Sequence, residues 1–252
     1  MRSGRTPVSL ALLALMTAAS HRSAAQQFEG VVTIKTLNLT ADIVADQTGE
    51  EELSDRGREK LFAMTLDQLV QLSGPARTNV LHVKGGRMRT AAFEMPGLGS
   101  TYMLLDVAGG MLRTVAPAKR GYFEASLRSP GGETEEAEPM QIVPLGRNQV
   151  IGGLRCTGYR VTQGGQISYV WTTDDAGAKA MVANQLRLAG DDAEGTRSAR
   201  ALLARYGASM MTQTFDEEGG YSVEVWSLER KTLPDSLFVV PAGYTKLRSP
   251  GG

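Results

Sequence analysis

"MLLDVAGGMLRTVAPAKRGYF", residues 103–123, sets two apolar runs on either side of Gly109-Gly110 and closes with Pro117-Ala118-Lys119-Arg120-Gly121 ahead of Tyr122. Short apolar runs around a glycine pair read as antiparallel strands joined by a tight turn. Residues 102–107 are apolar at both parities apart from Asp106. Both faces of that strand are therefore expected to be at least partly covered. Pro117 to Gly121 ends one strand and starts the next. The stretch describes a sheet turning back on itself, and a catalytic loop is not needed to explain it.

The same grammar extends in both directions. Strands are expected at 79–83, 87–93, 101–107 and 111–115, joined by Gly85-Gly86, Pro96-Gly97 and Gly109-Gly110. A first strand precedes them at 28–37, and Asp46 to Arg56 reads as a loop or the start of a helix. After a Pro/Gly/Glu loop at 129–139, strands resume at 140–143, 154–161 and 166–173. A last β unit runs from 221 to 230 with 237–240 beside it. Helical spacing occurs twice. Leu61, Phe62, Leu66, Leu69 and Val70 recur at three and four before Gly74-Pro75 stops them. Residues 176–212 are Ala-rich, with Met181, Val182, Leu186 and then Ala199, Leu202, Leu203, Tyr206 and Met210, divided by Gly190-Asp191-Asp192 and Gly195. The expected fold is α+β: a single large curled antiparallel sheet of about ten strands, a half-barrel, with helices covering its concave face.

The first 25 residues stand apart from this pattern. Arg2 and Arg5 precede an apolar run from Val8 to Ala19, and Ser23-Ala24-Ala25 offers small residues for cleavage. This reads as a secretory signal peptide, leaving 26–252 as one domain, exported to the periplasm or secreted. Without Arg2, Arg5 and Arg22 the chain has 24 basic against 27 acidic residues. That balance argues against nucleic acid as a partner. No later stretch is long and apolar enough to span a membrane.

Reagents for catalysis are scarce. His82 is the only histidine after residue 25 and sits mid-strand, with no Gly-x-Ser-x-Gly elbow to serve. Cys156 is the only cysteine and reads as a small buried residue. Asp174-Asp175, Asp191-Asp192 and Asp216-Glu217-Glu218 lack the spacing of a calcium loop. Asp174-Asp175 precedes a helix, where it would cap the N-terminus. No enzyme activity, metal or cofactor is expected. What remains is apolar surface, with methionines at 88, 103, 111, 140, 181, 210 and 211. Methionine suits both irregular cores and surfaces that accept variable apolar ligands.

Within the opening stretch, Asp106, Gly110, Pro117, Lys119 and Tyr122 fall at the places of a hairpin common in the periplasmic lipoprotein-carrier superfamily, which the chain resembles. "IGGLRCTGYRVT" and "ISYVWTTDD" within 151–175, with "VEVWSLERKTLPDSLFVVPAGYTKL" at 223–247, resemble a bacterial family of exported proteins with an uncharacterised domain. The resemblance implies a half-barrel with a helical lid over an apolar hollow that in the carriers holds lipoprotein acyl chains. The carriers' lid-locking arginine has no counterpart that can be pointed to in this sequence.

The expected function is a non-enzymatic periplasmic binding or carrier protein for a lipid acyl chain or lipoprotein tail. The alternative is an envelope protein-interaction or sensor module on the same fold, without lipid. Met103, Leu105, Trp171, Met181, Leu203 and Trp226 are the candidate lining residues.

Overall fold

The computed structural model describes residues 28–50, 53–127, 139–163, 165–188, 194–216 and 219–248. The expected signal peptide and most of the loop at 129–139 lie outside them, as do Gly190-Asp191-Asp192 and Glu217-Glu218. The β-branched first strand, β1 (Glu29–Leu39), lies in the middle of a 13-stranded sheet. It is antiparallel to β2 (Arg77–Lys84) on one side and to β12 (Tyr221–Arg230) on the other. Three short helices connect β1 to β2: α1 (Ala41–Thr48), α2 (Asp55–Phe62) and α3 (Leu66–Ser73).

From β2 the chain meanders outward through β3 (Arg87–Thr90), β5 (Gly99–Asp106), β6 (Met111–Ala116) and β7 (Gly121–Ser126), while β4 (Phe93–Met95) pairs with β5 alone. It then crosses to the opposite edge and works inward through β8 (Gln141–Ile151), β9 (Leu154–Gln163) and β10 (Gln166–Thr173). Helices α4 (Ala176–Leu188) and α5 (Glu194–Tyr206) intervene before β11 (Ala208–Phe215) and β12 complete the return to β1. A short β13 (Thr245–Lys246) runs parallel to β7 at the far edge.

The opening hairpin is β5–β6. The Gly109 amide donates to Asp106 Oδ1 at 2.9 Å, and Gly110 takes φ +62°, so the Asp-x-x-Gly spacing closes the turn through a side chain. Pro117 to Lys119 forms a single 3-10 turn that ends in Arg120 at φ +45°.

Four readings need correction. Residues 61–74 are two helices, because Thr65 caps a new one: its hydroxyl accepts from the Gln68 amide while Gln68 reaches back to the Thr65 amide. Residues 208–212, expected to continue a helix, belong to β11. Gly207, at φ +93°, donates to Leu203 O and ends α5, and a Cβ there would stand 2.3 Å from Thr173 O. Residues 237–240 are not a strand, since Asp235–Phe238 is a 3-10 turn. Among the described residues the strands number 13 rather than about ten, because the sheet gains β4, β7, β11 and β13 and loses 237–240.

The helices do not gather over one face. On β10, Tyr169 and Trp171 meet Phe62 of α2, with ring centroids 4.4 and 6.0 Å away. Their neighbours Ser168, Val170 and Thr172 face α5 instead. Alternate side chains leave a strand on opposite sides, so α1–α3 and α4–α5 occupy opposite faces. The first group closes a core of Leu37, Leu61, Leu69, Phe215, Tyr221 and Val223. Under α4, Met181 packs with Phe28, Val32, Val83 and Met88. The sheet also curls. The end of β8 returns to β12, so that a Cβ on Gly152 would stand 2.9 Å from Trp226 O.

The chain after β12 is tied back by charge. Lys84 Nζ lies 3.3 Å from both Glu29 and Asp235, and Arg87 reaches Asp235 at 2.7 Å. Lys84 also donates to Leu233 O, and the Leu233 amide donates to Glu29. At the other end of this segment, Lys246 and Arg113 both hold Glu124 at 2.9 Å.

Candidate functional site

An apolar cleft of about 300 Å³ lies between α4–α5 and the strands β8–β11. The strands supply Ile142, Tyr159, Val161 and Val170, and the helices supply Val182, Leu186, Ala199, Leu202, Leu203 and Tyr206. Leu202, Leu203 and Tyr206 share one side of α5 because residues three and four apart lie together on a helix. The Tyr159 and Tyr206 rings meet edge to face at 5.0 Å.

Four serine and threonine hydroxyls also line this cleft, and each of these already has a partner. Ser168 pairs with Thr214 at 3.0 Å and Ser209 with Thr212 at 3.0 Å. Thr172 donates to Tyr206 O, satisfying a carbonyl at the C-terminal end of α5. Polar groups so paired make little demand on a ligand. The wall therefore behaves as more apolar than its composition.

A second cavity, of about 240 Å³, lies on the opposite face where α2 gives way to α3. Phe62, Leu66, Leu69, Met211, Val223 and Val225 surround it, together with Trp171, Thr65, Gln149 and Gln213. Gln213 accepts from Trp171 Nε1 at 3.4 Å and donates to the Tyr221 hydroxyl at 2.6 Å. Burial pushes the Tyr221 hydroxyl well above its ordinary pKa, and the Gln213 hydrogen bond opposes this only in part.

The six residues singled out from the sequence do not form one site. Leu203 lines the cleft and Trp171 lines the second cavity. Leu105, Met181 and Trp226 join the core beneath α4, where Trp226 donates to Glu224 at 2.7 Å. Met103 lies half-buried on β5, outside both cavities, and its amide donates to Thr90. The strand residues of the cleft were missed because they are ordinary valines, serines and threonines. The signal was there: Ser168, Val170 and Thr172 alternate along β10, opposite the Tyr159-x-Val161 pair of β9.

His82 is half-buried on β2. Burial first, then the charges of Arg89 and Lys231, holds His82 below its ordinary pKa, and its Nδ1 has no hydrogen-bond partner among the described residues. Cys156 is fully buried, and burial pushes its thiol up to about 11. Such a thiol is inert. Among the described residues no three of His, Cys, Asp and Glu gather in a way that could hold a metal. No helix among them is long and apolar enough to cross a membrane. Asp175 does cap α4, accepting from the Ala178 amide at 2.9 Å. Burial works to raise its carboxyl, but the Arg230 guanidinium and the helix amides outweigh it and hold the pKa below the ordinary value.

Two crystal structures of PNGF-II resemble the chain, with TM-scores of 0.34 and 0.28 at 11% and 12% identity. Each match covers 86% of this chain and 31% of the other, so the chain spans about a third of the length of the solved chains it matches. No curated protein matches it. None of these matches bears on the resemblance to the lipoprotein carriers. Residues 62–244 match the family described as a domain of unknown function, DUF4412. That span runs from the end of α2 to the residue before β13 and takes in the lining of both cavities. The chain belongs to the DUF4412 family.

Proposed function

We propose that the protein is an exported, non-enzymatic binding protein for an apolar ligand, a lipid acyl chain or lipoprotein tail, held in the cleft under α4 and α5. The supporting observation is the cleft itself: aliphatic and aromatic walls whose serine and threonine hydroxyls are already paired with other hydroxyls or with a helix carbonyl. Its volume of about 300 Å³ is about twice the ~150 Å³ that suffices to hold benzene in a dry apolar cavity. It stands at the lower end of the range for ligand sites, roughly 300–1,000 Å³. A single acyl chain suits it better than a bulky headgroup. In this reading α4 and α5 act as the lid of the hollow.

Protein purified gently from its native compartment carries lipid visible in native mass spectrometry, and a fluorescent fatty acid binds to the stripped protein. Ala199→Trp, which places an indole in the cleft from the α5 side, lowers that binding at least tenfold while far-UV circular dichroism is unchanged. Absence of lipid together with absence of fatty-acid binding removes the proposal.

One observation favours an envelope protein-interaction role. Among the described residues β8 is an edge strand, and it exposes Val143 (46%) and Val150 (72%); such an edge is a natural docking place. In-cell crosslinking through β8 that captures a protein in lipid-free material would select this second reading.

A further inference from the structure

An unmet hydrogen-bond donor belongs to a side chain that lines the α2–α3 cavity. Nε2 of Gln149 is buried and has no partner among the described residues, although its side chain lines the cavity. Other polar groups there are engaged: Thr65 with Gln68, and Gln213 with Trp171 and Tyr221. No charged side chain is among the lining residues. A buried amide hydrogen without an acceptor is strongly unfavourable relative to a paired one. The space beside it, about 240 Å³, exceeds the ~150 Å³ that admits benzene.

We propose that this cavity is a second binding site, for a small neutral molecule that carries one hydrogen-bond-accepting oxygen on an apolar body. The oxygen accepts from Gln149, and the apolar body lies among Phe62, Leu69, Trp171 and Val223. Charge is disfavoured because nothing in the wall compensates it. A long acyl chain is disfavoured by the enclosing α2–α3 turn, so the ligand class differs from that of the cleft. The two sites are also separate in space. Val170 and Trp171 are consecutive on β10 and therefore point to opposite faces, one lining each site.

The chain has two tryptophans, so the full-length Trp226→Phe protein keeps Trp171 as its sole indole. Its single indole N–H resonance reports on this cavity. Acetophenone and α-methylstyrene have nearly the same shape, and only the first has the oxygen. Acetophenone should shift the resonance and bind about tenfold more tightly than α-methylstyrene, the preference expected from one buried hydrogen bond. Gln149→Met should bring the two affinities together. If that variant fails to fold, Gln149→Ala serves the same comparison. Binding, followed at the resonance assigned to Trp171, should persist when Ala199→Trp blocks the cleft and adds its own indole signal. The proposal is overturned if neither probe shifts the resonance, which leaves a cavity that holds only water. It is also overturned if the unsubstituted Gln149 protein binds both probes equally, if the preference survives without Gln149, or if Ala199→Trp abolishes binding.

Discussion

Gly207 shows how one residue sets the course of the chain beyond it. The helical spacing of Leu202, Leu203 and Tyr206 extends to Met210 on paper, yet the chain turns at Gly207 because only glycine sits easily at φ +93° with Thr173 O so close. Gly207→Ala should lower stability by at least about 2 kcal/mol in urea unfolding. At Gly49, also left-handed at φ +76° but with open space beyond, Gly49→Asn should stay within about 1 kcal/mol of the parent. Opposite outcomes at the two positions would refute the steric account. His82 carries a pH prediction at the same scale. Its folded pKa is depressed, so the unfolded chain takes up the proton first, and stability falls as pH drops through the unfolded value of about 6.5. Replacing it in His82→Gln should remove that slope from unfolding curves taken between neutral and mildly acid pH.

At the scale of elements, periodicity located the meander well because glycine turns punctuate it. Asp106, Gly109 and Gly110 behave as the Asp-x-x-Gly-like spacing implies. The helix break at 63–65 was also legible, in the Thr65-x-x-Gln68 capping box, but the apolar spacing of Leu61, Phe62, Leu66 and Leu69 runs through the break and hides it. Thr65→Ala should destabilise by about 1 kcal/mol and speed amide exchange in the first turn of α3. Unchanged exchange there would show that packing of Leu69 alone holds the helix. Which helix lies on which face was not legible. It depends on strand parity in β10 and β12, and that is set by pairings between segments far apart in sequence. Hence the candidate lining residues scattered: all are apolar, but they divide among the cleft, the second cavity and the core beneath α4, with Met103 in none of them.

At the scale of the molecule, the segment after β12 is held by carboxylates facing cations. The Leu233 amide, then Lys84, lowers the Glu29 pKa; Arg87 and Lys84 lower that of Asp235; Lys246 and Arg113 lower that of Glu124. Folded values below the unfolded ones mean that their stabilisation is present above about pH 4 and is lost as pH falls through the folded values. Asp235 is exposed and Glu29 and Glu124 are only half-buried, so each contributes modestly and salt should weaken them further. Hydrogen exchange at low pH should show residues 231–248 losing protection before β1 and β12 do. Simultaneous loss would mean that the ties do not act as a separate unit.

The central place of β1 bears on how the chain is assembled in time. Gly30 is paired with Arg230, and Leu39 with Tyr221, so β1 must wait until β12 is made before its second edge is filled. Until then the β2–β7 half can form on β1, while the β8–β12 half has no seam to close against. Such high contact order slows folding and leaves a β edge open to other chains in the interval. A chain stopped short of residue 221 would keep that edge open permanently, and should aggregate rather than accumulate as a half-sized domain.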